Sequence, residues 1–345
     1  MIKVLIVDDS AFMRKMLSDL FAGEGDFTVL DTARNGKDAV DKVKRLKPDV
    51  VTMDVEMPIM DGIRALEAIM QENPVPVVMV SSLTQAGAEA TVRALALGAV
   101  DFVAKVSGPI SNISGISAEL LTKCRSAVRA NVARLTVPVL KSPAPSLPSP
   151  LRQLSNDKII AIGTSTGGPR ALQEIVTKLP ASLPCGVVIV QHMPPGFTKS
   201  LAERLNSISS LTVKEAEQND QVQPGVVYIA PGDYHMTVEV SAGKRILKLS
   251  QSPPVGGHRP AVNPLFDSVA RIYGDKAVGV ILTGMGHDGA QGMQAIKKQR
   301  GYTIAEDQST AVVFGMPKSA IELGVIDKIA PITTIAVEII KAVTK

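Results

Sequence analysis

Five times in the first 135 residues, a short apolar run gives way to an amphipathic stretch of helical period. The runs are 3–7, 28–31, 50–53, 75–80 and 100–104, and the helical stretches after them are 11–21, 36–46, 62–71, 87–97 and 118–135. Near-continuous apolar runs suit strands buried on both faces, and each following helix supplies the crossover that parallel neighbours need. The pattern predicts an α/β fold: a five-stranded parallel sheet covered by helices on both sides.

The alternation then stops. Residues 137–157 have no apolar period and carry prolines 138, 143, 145, 148 and 150. Proline removes backbone donors and favours extended geometry, so this stretch reads as a semi-rigid linker. A chain of 345 residues also exceeds the ~250 at which single cores stop growing. Three segments are expected: a domain over 1–122, a helix and proline-rich linker over 123–156, and a second domain over 157–345. In the second, strands are expected at 158–162, 186–191, 226–230 and 277–283, helices at 171–179, 198–205 and 289–298, and a hairpin over 234–249 around Ala242 and Gly243. That half reads as a doubly wound, mostly parallel α/β domain with a β-hairpin.

Composition removes several function classes. Hydrophobic residues are 45% and charged residues 20%, the balance of a folded globular chain. The net charge of +4 is spread along the sequence and aromatics are 3% with no Trp, so nucleic-acid binding is not expected. No run approaches the ~20 apolar residues of a membrane helix, so no membrane insertion is expected. Asp8 and Asp9 interrupt the opening apolar run, and the two cysteines, Cys124 and Cys185, permit no disulfide framework. A cytoplasmic location is expected.

In a doubly wound sheet the functional edge lies beyond the carboxyl ends of the strands. Asp8 and Asp9 end the first strand and Asp54 the third, so three carboxylates share one crevice, where repulsion calls for a cation. Hard oxygen ligands suit Mg²⁺, whose remaining positions take water or phosphate oxygens. Ser81 and Lys105, at the ends of the fourth and fifth strands, add a hydroxyl and an ammonium able to hold a phosphoryl group on a carboxylate. Singly, each residue could merely cap a helix; together they describe a phosphoacceptor aspartate.

The second half offers a different chemistry. The expected strand 158–162 runs through Gly163-Thr164-Ser165-Thr166-Gly167 into a helix, a G-x-S-x-G sequence at a strand-to-helix turn. By itself it fits a nucleophilic serine, a phosphate loop or a plain turn. A serine needs a base and the base an orienting acceptor. His192 directly follows the strand 186–191, and Asp288 follows 277–283 through Gly284-Met285-Gly286, so both fall at the same sheet edge as Ser165. Asp288 could equally start the next helix as its cap.

Two sets of motifs carry resemblances. Val7-Asp8-Asp9-Ser10, Met53-Asp54-Val55-Glu56-Met57-Pro58 with Asp61-Gly62, Val80-Ser81-Ser82 and Phe102-Val103-Ala104-Lys105 resemble the flavodoxin-like receiver domain of response regulators. The resemblance implies phosphorylation at Asp54, Mg²⁺ held by Asp9, Asp54 and the Glu56 carbonyl with Asp8 acting through water, phosphate read by Ser81 and Lys105, and an aromatic switch at Phe102. Val106 stands where receivers usually have proline. Residues 163–169, 191–198, 230–235, 283–290 and 314–318 (GTSTGGP, QHMPPGFT, APGDYH, TGMGHDGA, FGMPK) resemble the CheB chemotaxis methylesterases. This implies Ser165 as nucleophile, His192 as base, Asp288 as its orienter, the Met285 N–H as oxyanion donor and Thr166 lining the pocket, with no cofactor in the esterase site. It further implies hydrolysis of glutamyl methyl esters, and deamidation of glutamines, on chemoreceptors, controlled by phosphorylation from the chemotaxis histidine kinase CheA. Ala261 and Asn263 stand where that family more often has Ser and Asp, and the loop 258–263 is expected to have no catalytic duty. A non-catalytic binding output and a general small-ester esterase are the competing readings.

Overall fold

The computed structural model describes residues 1–105, 113–130, 132 and 157–344. The proline-rich linker and Val106 lie outside the described residues. The chain divides into two compact units, 1–138 and 139–345.

The first unit has β1 (Ile2–Val7), β2 (Phe27–Ala33), β3 (Val50–Asp54), β4 (Val77–Ser82) and β5 (Asp101–Lys105) in the order β2-β1-β3-β4-β5, all parallel. The five-stranded sheet and its connecting helices match expectation, and the order is that of a flavodoxin-like fold. The helices start where the sequence places a capping oxygen. Ser10 caps α1 (Ala11–Ala22), Asn35 caps α2 (Gly36–Leu46), Asp61 caps α3 (Gly62–Glu72) and Thr84 caps α4 (Gln85–Leu97), each accepting a backbone N–H of the first turn. β4 begins at Val77 and not at 75, beyond Pro76, whose nitrogen has no hydrogen for the ladder. The fifth helix, α5 (Ile113–Val128), runs across the boundary expected at 122: Leu120, Cys124 and Ala127 are all buried, and Lys123 reaches Asp101 of β5 at 3.2 Å. The helix therefore packs as part of the first unit through Val128.

The second unit is built on a seven-stranded parallel sheet, ordered β14-β13-β12-β6-β7-β9-β8. Its strands are β6 (Ile159–Thr164), β7 (Gly186–Gln191), β8 (Thr212–Glu215), β9 (Val226–Ile229), β12 (Ala277–Ile281), β13 (Tyr302–Glu306) and β14 (Lys328–Ala330). β6 and β12 are neighbours, yet the chain leaves β6 toward β7 on one side and continues from β12 to β13 on the other. That reversal opens a crevice above their carboxyl ends. The hairpin β10 (His235–Ser241) and β11 (Lys244–Ser250) forms as expected, turning on Ala242 and Gly243 with φ of 48° and 74°.

The unit holds more elements than the sequence pattern revealed. β8, β13 and β14 were not expected, nor were helices α8 (Val262–Tyr273), α10 (Met316–Glu322) and α11 (Ile332–Thr344). β13 hides polar Thr303 and Glu306 in the interior, which breaks its apolar run. The expected helices appear as α6 (Gly168–Val176), α7 (Phe197–Ile208) and α9 (Ala290–Lys298). Phe266 of α8 packs in the core with Ile281 of β12 and Val188 of β7.

Candidate functional site

The carboxyl ends of β12, β6 and β7 carry Thr283, Ser165 and His192 side by side. Ser165 leaves β6 with its N–H on the Thr283 carbonyl at 3.0 Å, and the His192 N–H bonds the Thr164 carbonyl at 3.2 Å. Gln191, 3% exposed, spans the gap: its Nε2 donates to the carbonyls of Ser165 (3.0 Å) and His192 (3.1 Å). Thr283 knits the other flank, its hydroxyl donating to the Thr166 carbonyl at 2.9 Å while its own carbonyl accepts from the Thr164 hydroxyl. Gly284 approaches so closely that a Cβ there would lie 2.9 Å from the Ser165 Cβ. Met285, next in the chain, therefore borders the serine.

His192 Nε2 lies 2.8 Å from Asp288 Oδ2. Burial pushes the Asp288 carboxyl up, but His192 and the backbone N–H groups of Val262 and Asn263 outweigh it and hold the group below the usual carboxylate range. An ionised carboxylate only accepts, so Nε2 donates to it, and in a neutral imidazole the lone pair then lies on Nδ1. Nδ1 is buried and has no hydrogen-bond partner. The structure thus pairs His192 with Asp288, brings the Ser165 backbone alongside, and leaves His192 Nδ1 without a bond to the Ser165 hydroxyl.

Asp288 does cap a helix, though not its own. Gly289 occupies the start of α9, while Asp288 turns to the first amides of α8, with Val262 N donating to Oδ2 at 2.6 Å and Asn263 N to Oδ1 at 3.0 Å. The loop 258–263, expected to have no catalytic duty, thus reaches the site. His258 also stacks on His192 with ring centroids 3.9 Å apart and planes 12° from parallel. Its loop is fixed by reciprocal backbone bonds with Val255, and by Arg259, which donates to Asp233 Oδ1 and to the carbonyls of Gln251 and Ser252. Gln191 and His258 were missed because spacing along a chain does not report side-chain contacts. Their one sequence signal was position, since Gln191 precedes His192 and His258 is among only four histidines.

In the first unit the expected acids do converge. Ligand oxygens of Asp8, Asp9 and Asp54 lie within 4.8 Å of one another. Asp8 and Asp54 are buried, Asp9 and Glu56 exposed. Lys105 Nζ sits 2.8 Å from Asp54 and 3.1 Å from Asp8. Burial pushes the Asp54 carboxyl above its ordinary value, with Asp8 adding to the rise and Lys105 opposing it. The Lys105 ammonium is disfavoured by burial, yet its two carboxylates raise it on balance. Three clustered hard-oxygen donors fit Mg²⁺. Ser81 is buried with its hydroxyl on the Gly87 carbonyl at 3.1 Å. Phe102 is turned inward, 2% exposed, with Lys123 Nζ 5.1 Å from its ring centre. Both cysteines are buried, and burial pushes the Cys185 thiol up to about 12, so it is unsuited to nucleophilic work. No helix among the described residues is long and apolar enough to cross a membrane.

Comparison with known proteins matches both halves. Residues 4–112 match the family model for the response regulator receiver domain, and residues 160–339 match that for CheB methylesterase. A protein-glutamate methylesterase/protein-glutamine glutaminase of Geobacillus kaustophilus is 51% identical over 347 residues, covering 99% of each chain. One of the same name from Thermotoga maritima is 48% identical over 343 residues, covering 99% of this chain and 98% of the other. The crystal structure of the Thermotoga maritima CheB methylesterase catalytic domain superposes with a TM-score of 0.53 at 52% identity, covering 53% of this chain and 97% of that one.

Proposed function

The chain belongs to the CheB methylesterase family, with a response regulator receiver domain ahead of the hydrolase half, and from that premise we propose how its residues act. The reaction is hydrolysis of protein glutamyl methyl esters to glutamate and methanol, with deamidation of glutamines by the same route. The observation that carries the assignment is the His192–Asp288 pair beside Ser165, with Nδ1 buried and unengaged.

Ser165 Oγ attacks the ester carbonyl as His192 Nδ1 takes its proton, and Asp288 stabilises the imidazolium through Nε2–H. The carbonyl oxygen gathers negative charge and is received by the Met285 N–H, with Thr166 lining the pocket. The imidazolium returns its proton to the departing methoxide, which leaves as methanol, and water activated by the same nitrogen releases the glutamate. With a glutamine the leaving group is ammonia.

In the receiver half Asp54 accepts a phosphoryl group from the chemotaxis histidine kinase CheA. Asp9, Asp54 and the Glu56 carbonyl would hold Mg²⁺, with Asp8 supporting them, and the ion would offset the charge of the incoming phosphoryl oxygens. Lys105, already between Asp8 and Asp54, pairs with the phosphoryl group. Ser81 and Phe102 relay the new charge to the rest of the domain, and its output controls the esterase. The receiver domain is assigned to residues 1–128, through the end of α5 and past the boundary expected at 122, the linking segment to 129–156 and the catalytic domain to 157–345. Substrates are the cytoplasmic signalling helices of chemoreceptors, which places the enzyme in the cytoplasm.

The test is methanol release from a methylated chemoreceptor. Wild type is expected to release methanol, and Ser165→Ala to lower turnover by ~10³-fold or more. Turnover undiminished in folded Ser165→Ala would remove the serine mechanism.

A further inference from the structure

Two helix starts near the site have no capping oxygen of their own. α8 follows Ala261 and α9 follows Gly289, and neither receives a side-chain bond from its own cap residue. Each is capped from the other's entry. Asp288, just before α9, accepts from Val262 N and Asn263 N of α8 at 2.6 and 3.0 Å. Asn263, in the first turn of α8, accepts on Oδ1 from Gly289 N at 3.0 Å and Gly292 N at 2.8 Å, both at the start of α9. Capping is ordinarily local; here it is reciprocal across two helices, and one of the two caps is the acid that faces His192.

We infer that Asn263 is a positioning residue of the triad: its N–H holds the Asp288 carboxylate, and its side-chain oxygen holds the loop that carries Asp288, so the acid is aimed at His192 Nε2 from both sides. This rests on the reading of Ser165, His192 and Asp288 as the triad. Asn263 does this without charge. A carboxylate in its place would accept the same two N–H groups but add a second negative charge behind Asp288, favouring the imidazolium. The charged and titratable groups around the pair are Asp288 and His192 themselves, the stacked His258, His287 beside Asp288 in the chain, and Asp267 one turn further along α8. Burial raises the Asp267 carboxyl, Arg271 opposes this, and Asp288 adds to the rise, so the field of Asp288 extends along this helix.

The experiment measures methanol release from a methylated chemoreceptor across pH by the full-length chain, as wild type, Asn263→Ala, Asn263→Asp and Ser165→Ala. Asn263→Ala should lower kcat by ~10-fold or more with KM little changed, because aim and not binding is lost. Asn263→Asp should restore kcat on the alkaline side and move the acid limb of kcat/KM upward by about half a pH unit or more. A kcat per folded enzyme equal to wild type in Asn263→Ala would overturn the inference. If Asn263→Ala does not fold, an Asn263→Asp profile superimposable on wild type would overturn it. Failure of the underlying triad reading shows separately, as turnover retained by Ser165→Ala.

Discussion

Asp54 is poised between two demands. The proposed phosphorylation requires it to be ionised, yet burial makes its charge unfavourable, and Lys105 corrects that only in part. The sign of the consequence is definite. A carboxyl whose folded pKa is raised above its unfolded value destabilises the fold at neutral pH; the deficit grows as pH rises through the folded pKa and is absent below the unfolded one. Asp54→Asn keeps the shape without the charge, and Lys105 keeps Asp8 as its partner at 3.1 Å. Thermal unfolding at pH 7 without divalent ions should show the variant more stable, by on the order of 1 kcal/mol. The gain should shrink toward pH 4, and added Mg²⁺ should stabilise wild type more than the variant. A less stable variant at pH 7 would contradict this account of the site.

At the level of the element, the proposed esterase site is a set of loop starts held together by backbone. β6, β7 and β12 each end at the switch-point edge, and the peptide groups of Thr164, Ser165, His192 and Thr283 bond one another or Gln191. Gly284 shows how little space is left: a Cβ there would stand 2.2 Å from Met316 Sδ and 2.9 Å from Ser165 Cβ. Gly284→Ala must push the Met285 loop away from the serine. It should lower kcat by ~10²-fold, the scale of a lost oxyanion donor, in a protein that remains folded. Wild-type kcat in that variant would show that this loop does not shape the reaction. The same element scale explains what the sequence concealed. The parallel core was legible because its strands are apolar runs, and Ser165, His192 and Asp288 were legible because each follows such a strand. β13 was not, since Glu306 and Thr303 are buried there as hydrogen-bond partners of Thr283 N and of the Val325 carbonyl and Asp327. Nor was the role of Asn263, 25 residues before the acid it holds, because a cap that crosses between helices leaves no local spacing signal.

The whole molecule joins a phosphoacceptor unit to a hydrolase unit through a proline-rich segment, and the division was legible because proline interrupts every periodicity around it. The units have different chemistry at the same architectural position, the carboxyl edge of a parallel sheet. In the first that edge gathers carboxylates around a lysine; in the second it gathers a serine, a histidine and one carboxylate. The central claim is that the first edge governs the second. It is tested most directly by methanol release from methylated chemoreceptor with and without acetyl phosphate and Mg²⁺, comparing wild type with Asp54→Asn. The prediction is release that rises several-fold with the phosphodonor in wild type and stays at the basal rate in Asp54→Asn. Equal stimulation of both proteins, or none in wild type shown to be phosphorylated, would contradict it.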